Sequence, residues 1–122
     1  MKDIEIYEKV KTHLLTQMEK STNVGGDCMY RGDGGRMCAA GCLIKDEFYK
    51  EELENIASAS AVVHFAISQS IGDYSETADV MIANLQRVHD DNHPEKWEAY
   101  LNTFKFTPSG EYILHSYTGN LE

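Results

Sequence analysis

The chain has 122 residues, of which 42% are hydrophobic, and its formal net charge is −9 at pH 7. A chain of this length forms one domain with enough interior to fold without a metal or a disulfide framework. Seven tyrosines, four phenylalanines and one tryptophan exclude the composition of a disordered polypeptide. The start of the chain lacks the apolar core of a secretory signal, and no apolar stretch approaches the length of about 20 residues that a membrane span needs. We therefore expect one soluble, cytoplasmic domain over residues 1–122.

The negative charge is concentrated in the middle of the sequence. Residues 46–95 carry eleven acidic and two basic side chains, whereas residues 1–45 and 96–122 are close to neutral. An acidic surface disfavours nonspecific binding of nucleic acid, because lysine and arginine are needed to neutralise phosphates. The same surface suits a basic protein partner. Acidic side chains that only solvate the outer faces of helices would produce the same pattern.

Three segments repeat apolar residues at the spacing that is typical of an amphipathic helix. The first covers residues 3–19 with Asp3 as its N-cap, and the second covers residues 77–90 and is expected to pack on the first. The third begins at Pro94, a residue that favours the first turn of a helix. The apolar positions are Ile4, Tyr7, Val10, Leu14 and Met18 in the first segment, Ala78, Met81, Leu85 and Val88 in the second, and Trp97, Tyr100, Leu101 and Phe104 in the third.

The remaining segments are shorter or less regular. Residues 46–54 begin with a capping aspartate and predict a short acidic helix. Residues 60–70 suit either a strand or a helix, and their spacing favours a helix. Residues 107–110 read Thr-Pro-Ser-Gly and predict a turn, which a late strand at residues 111–117 would follow.

A glycine-rich turn lies between two short segments of extended character. Residues 28–31 and 36–39 flank the sequence Gly-Asp-Gly-Gly, an arrangement that predicts a β-hairpin. Together with the helices, this hairpin predicts an α+β fold, a mainly helical single domain packed around a small β-hairpin.

The hairpin belongs to a longer stretch, residues 27–44, that is rich in glycine and cysteine. From residue 28 it reads Cys-Met-Tyr-Arg-Gly-Asp-Gly-Gly-Arg-Met-Cys-Ala-Ala-Gly-Cys, and Leu-Gln-Arg-Val-His-Asp follows at residues 85–90. This pattern resembles that of small bacteriophage and prophage proteins that have no assigned mechanism. The resemblance covers residues 28–49 and 85–97. It implies an accessory protein directed at host physiology or host defence.

Two interpretations give this segment a role in packing or in anion binding. In the first, the glycines permit a tight crossing of the chain, the tyrosine and cysteines fill the interior, and an arginine pairs with an acid. In the second, two arginines and exposed backbone amides hold a phosphate or a carboxylate, although the segment lacks the spacing of a phosphate-binding or dinucleotide-binding loop. The binding residues of the second interpretation are Tyr30, Arg31, Gly32, Gly34, Gly35 and Arg36.

A third interpretation assigns the cysteines to zinc. The ligands would be Cys28, Cys38, Cys42 and His89, because thiolates and imidazole suit this ion. The spacing of ten and four residues between the cysteines lacks the close ligand pairs of zinc fingers. An odd number of cysteines without an export signal also indicates reduced thiols.

A fourth interpretation is a small cysteine hydrolase. Cys38 would be the nucleophile, His89 the base, and a backbone amide near Ala39 the oxyanion donor. Asp90 is not expected to orient His89, because consecutive helical residues point about 100° apart. Asp73, Asn92 or another group would then have to complete the triad.

The sequence favours a noncatalytic accessory protein that binds a host macromolecule, with a host protein as the expected partner and inhibition of that target as one outcome of binding. Its binding element would be either the acidic middle of the chain or the glycine-rich hairpin, with no cofactor and no membrane. The alternatives are the cysteine hydrolase and a nucleotide-binding or anion-binding protein that uses the arginines of the hairpin.

Overall fold

The computed structural model describes residues 1–114, which are mainly helical. Four single turns of 3-10 helix lie in the long connection between the first two α-helices. The α-helices of the described residues are α1 (Asp3–Gln17), α2 (Ala61–Ile71), α3 (Glu76–Asp91) and α4 (Pro94–Leu101), and the 3-10 turns are Asp33–Gly35, Gly41–Leu43, Asp46–Phe48 and Glu51–Leu53.

The predicted α+β fold is wrong, because no strand or sheet forms within residues 1–114. The two arms of the predicted hairpin meet at a single antiparallel bridge between Arg31 and Met37. The backbone N–H groups of Tyr30 and Arg31 instead donate to the carboxylate of Glu54, at 2.8 and 3.1 Å. Cys28 forms an antiparallel bridge with Thr22, which precedes the glycine-rich segment in the chain. A carboxylate and a neighbouring loop therefore take the hydrogen bonds that a strand would need.

The predictions of α1, α3 and α4 are confirmed, as is the packing of α1 against α3. Helix α1 begins at Asp3, so its N-cap is Lys2 and not Asp3 as predicted. The helix ends before Met18, whose φ of 51° is left-handed. The interior between the helices contains Val10, Leu14, Met81, Leu85, Trp97 and Leu101, all fully buried.

Between α1 and α2 the chain follows an irregular path. The predicted acidic helix at residues 46–54 is wrong, because two 3-10 turns separated by the extended Lys50 replace it. Side chains at both ends of this segment bond to the glycine-rich stretch, which fixes a path that is not helical. The helical prediction for residues 60–70 is confirmed by α2, whose N-cap Ser60 accepts a hydrogen bond from the backbone of Val63.

The end of the described chain folds back on the start of α1. The predicted turn at residues 107–110 closes with a hydrogen bond of 2.9 Å from the N–H of Gly110 to the carbonyl of Thr107. The predicted late strand is absent from residues 111–114, which form one bridge, and residues 115–117 lie outside the described part. Among the described helices, none combines the length and the apolar character that a membrane crossing requires.

Candidate functional site

Arg31 fixes the glycine-rich segment to the acidic segment that follows it. One guanidinium nitrogen donates to Asp46 at 2.6 Å and the other donates to the carbonyl of Ile44 at 2.7 Å. The guanidinium also lies over the ring of Tyr49, 4.7 Å from its centre. The side chain of Arg31 is 24% exposed. Two of its nitrogens therefore donate to protein groups, whereas its buried Nε has no hydrogen-bond partner among the described residues. The anion site at Arg31 stays a prediction.

Glu54 organises the same segment from the opposite side. In addition to the two backbone N–H groups that it accepts, its carboxylate accepts a hydrogen bond of 2.6 Å from the hydroxyl of Tyr49. Burial, and then the hydrogen bond to Glu54, raise the pKa of Tyr49 to about 12. Sequence reasoning missed this residue, because nothing distinguishes Glu54 from its acidic neighbours in a run that is solvent-exposed elsewhere.

The predicted binding glycines have two different structural roles. Gly32 passes so close to another part of the chain that an added Cβ would lie 2.6 Å from the backbone nitrogen of Thr22. Gly34 and Gly35 have φ angles of 70° and 77° and form the exposed turn. The side chain of Arg36 turns back to donate to the carbonyl of Asp33 at 2.8 Å. Gly32 therefore permits a tight crossing of the chain, and Gly34, Gly35 and Arg36 belong to the turn next to it.

The pKa of each cysteine thiol is raised above its ordinary value. Cys38 is fully buried, its sulfur accepts a hydrogen bond from the backbone of Gly41, and burial raises its pKa. Burial also raises the pKa of Cys42 to about 12. Desolvation of its sulfur and the Asp90 carboxylate beside it raise the pKa of Cys28 to about 11. Because the thiolate is the nucleophilic form, none of the three is activated.

His89 is fully buried and both of its ring nitrogens are engaged. Nε2 lies 2.9 Å from the backbone N–H of Ser21, which can only donate, so Nε2 is the acceptor. The ring proton is therefore on Nδ1, which donates to Asp90 Oδ1 at 2.7 Å. The ring stacks on Trp97. His89 is thus not available as a base for Cys38.

The pairing of His89 with Asp90 corrects the expectation that neighbours on a helix do not orient each other. Gln86, one turn earlier in α3, donates to the same Asp90 oxygen at 2.9 Å. This bond holds the carboxylate against the imidazole despite the different directions of the two side chains.

The predicted zinc ligands are not brought together as a set. Within the described residues, the potential ligand atoms that cluster belong to Cys28, His89 and Asp90, within 4.8 Å of one another, and Cys38 and Cys42 are not part of the cluster. A metal on Nδ1 would displace the proton to Nε2, where it would face the N–H of Ser21. The donor set therefore does not fit a metal ion.

A polar cavity of about 260 Å³ lies where the glycine-rich segment meets α3. It is lined by Cys28, Tyr30, Glu54, Gln86 and Asp90 among others, so the two parts of the phage-like sequence pattern converge here. The side chains of Glu54, Gln86 and Asp90 already bond to protein groups. Three of the polar side chains that line this cavity are therefore engaged within the fold.

A different surface presents chemistry that packing does not require. Phe65 and Val62 lie one turn apart on α2, and they are 62% and 56% exposed. Beside them is a cavity of about 240 Å³, lined also by Phe48, Leu53 and Ala66. We call this surface the α2 face. Adjacent exposed apolar side chains beside a cavity are a feature of contact surfaces.

Sequence reasoning identified the α2 helix but missed its outer face. The buried side of α2 consists of Val63, Ala66, Ile67 and Ser70. Val62 and Phe65 place apolar groups on a second side, although a helix at the surface of a domain needs only one apolar stripe. The signal for this outer face in the sequence is the strand-or-helix ambiguity of residues 60–70. The segment has more apolar residues than a surface helix or a surface strand would bury.

The segment beside the α2 face is rich in acidic side chains. Glu47 lines its cavity together with Lys50, and Glu51 and Glu52 are exposed nearby in the same segment. The turn Asp46–Phe48 packs directly against α2, which places Glu47 beside the apolar surface.

Searches of family models, curated proteins and solved structures give no match to this chain. The resemblance to phage and prophage proteins therefore stays a prediction from the sequence pattern.

Proposed function

We propose that this chain is a noncatalytic accessory protein that binds a host protein through its α2 face. The observation that supports the proposal is the exposure of Phe65 and Val62 above an apolar cavity. Interfaces derive most of their binding energy from a few anchor residues, many of them aromatic, that lie in well-packed pockets. The α2 face has both an aromatic side chain and a pocket.

The state of the nucleophiles supports a binding role over a catalytic one. A cysteine hydrolase needs a thiol within reach of a free base. Cys38 is fully buried, and His89 uses one nitrogen for a backbone amide and the other for Asp90.

The phage-like sequence pattern supports the biological context of the proposal. It implies a protein made during infection or from a prophage, which would act in the cytoplasm of the host cell. Binding would inhibit its target and so contribute to host takeover or counter-defence.

Affinity capture from bacterial lysate tests the proposal. Wild-type protein, Phe65→Ser and Val24→Ser are immobilised, and the retained proteins are identified by mass spectrometry. Val24 is the matched control, because it is apolar and 90% exposed but lies in a loop outside the α2 face. We expect a bacterial protein that wild type and Val24→Ser retain and that Phe65→Ser loses.

A thermal denaturation curve for each variant shows that the fold is intact. Both substitutions are at exposed positions, where the change in stability is usually within about 0.5 kcal/mol. Retention that is the same for all three proteins would contradict the α2 face as the binding surface.

A further inference from the structure

We infer that the α2 face binds a basic protein segment that inserts one apolar side chain into the cavity. This inference rests on the proposed function and adds the chemistry of the partner. It follows from the size of the cavity and from the charges around it.

The size of the cavity favours a side chain over a small-molecule ligand. Pockets for drug-sized ligands have volumes of about 300–1,000 Å³, whereas this cavity has a volume of about 240 Å³. Its apolar lining, with Phe48, Leu53 and Ala66, complements an aliphatic or aromatic group. Phe65 and Val62 at its edge would cover the base of that group and exclude water.

The charge at the cavity selects a basic partner. Residues 47–53 contain three exposed glutamates, Glu47, Glu51 and Glu52, and one base, Lys50. Glu47 and Lys50 line the cavity, and the other two glutamates lie in the turn that ends at the lining residue Leu53. Opposite charges across an interface accelerate association and reject partners of the wrong sign. A second copy of the chain is disfavoured as the occupant, since each copy carries a net charge of −9.

Three synthetic peptides measure the two requirements separately. The first combines leucine and lysine, the second replaces its lysines with glutamate, and the third replaces its leucines with serine. Isothermal titration of the full chain with each peptide gives the Kd. We expect binding of the leucine–lysine peptide, and much weaker binding of the other two. Phe65→Ser is expected to raise the Kd about tenfold or more, since anchors contribute more than about 1.4 kcal/mol.

A pair of charge-reversal variants separates a local effect from general attraction. Glu47→Lys with Glu51→Lys changes the rim of the cavity, and Glu8→Lys with Glu98→Lys makes the same change in net charge at exposed positions on α1 and α4. We expect the rim variant to weaken binding several-fold more than the control variant at low ionic strength.

Each contrary result overturns a defined part of the inference. Equal binding of the leucine–glutamate peptide would contradict a basic partner, and equal binding of the serine–lysine peptide would contradict the apolar anchor. Equal effects of the two charge reversals would show attraction by net charge alone. The proposed function fails separately, when the Phe65→Ser variant retains the same lysate proteins as wild type.

Discussion

Two charged side chains, Arg31 and Glu54, determine the path of the glycine-rich segment. Each bonds to the backbone of a segment distant in sequence, Arg31 to Ile44 and Glu54 to residues 30 and 31. Charge-assisted hydrogen bonds of this kind are stronger than bonds between neutral groups. The Asp46 partner of Arg31 contributes less, because its side chain is 95% exposed.

Replacing Arg31 is therefore expected to cost more than replacing Asp46. Arg31→Ala should lower the free energy of unfolding by about 1–3 kcal/mol, since it removes hydrogen bonds to a partly buried charged group. Asp46→Ala should cost less than about 1 kcal/mol. Urea denaturation of the two variants measures the difference. Equal losses would mean that the exposed ion pair, and not the bond to Ile44, supplies the stabilisation.

At the residue scale the sequence indicated which side chains are important but not what they contact. The pairing of Arg31 with an acid and the burial of Cys38 were among the predicted alternatives. The role of Glu54 was not predictable, because the two backbone N–H groups that it accepts lie more than twenty residues away in the chain. Nor was the tautomer of His89, which depends on a backbone amide from the loop after α1.

At the scale of elements, amphipathic helices were predictable and the irregular connection was not. Helices α1, α3 and α4 repeat apolar residues with the period that burial on one side requires. The hairpin prediction relied on glycines and on local extended character. The same local pattern permits a tight crossing, and tertiary bonds to Glu54 decide between the two.

The packing of α3 provides a direct test of the helical core. Leu85 is fully buried between the helices, whereas Val80 on the same helix is 44% exposed. Leu85→Ala should destabilise the protein by about 2–5 kcal/mol, and Val80→Ala should change stability by less than about 0.5 kcal/mol. Chemical denaturation monitored by circular dichroism measures both. A loss below about 0.5 kcal/mol for Leu85→Ala would contradict the position of α3.

At the scale of the whole molecule, Asp3 connects three parts of the fold. Its carboxylate accepts hydrogen bonds from the hydroxyls of Ser75 and Thr77 before and within α3. It also accepts the backbone N–H of Tyr112 near the end of the described chain. Burial alone would raise the pKa of Asp3, but the hydrogen bonds from Thr77, Tyr112 and Ser75 outweigh it and lower the pKa.

This lowered pKa predicts a loss of stability in acid. The carboxylate stabilises the fold fully above its pKa in the unfolded chain, about 3.9, and the stabilisation is lost as the pH falls through the lower pKa of the folded state. Asp3→Asn should be less stable than wild type at neutral pH and lose less stability on acidification. Urea denaturation across the acidic range measures this dependence, with the exposed Asp27→Asn as the control. Parallel pH profiles for wild type and Asp3→Asn would contradict the role of this carboxylate.

We propose that α2 and the acidic segment beside it form the recognition surface. An NMR titration of labelled protein with the leucine–lysine peptide tests this proposal, since the shifts of backbone amides report where the peptide binds. We expect the largest shifts in residues 46–54 and 61–71. Largest shifts at residues 32–36, in the glycine-rich turn, would contradict it.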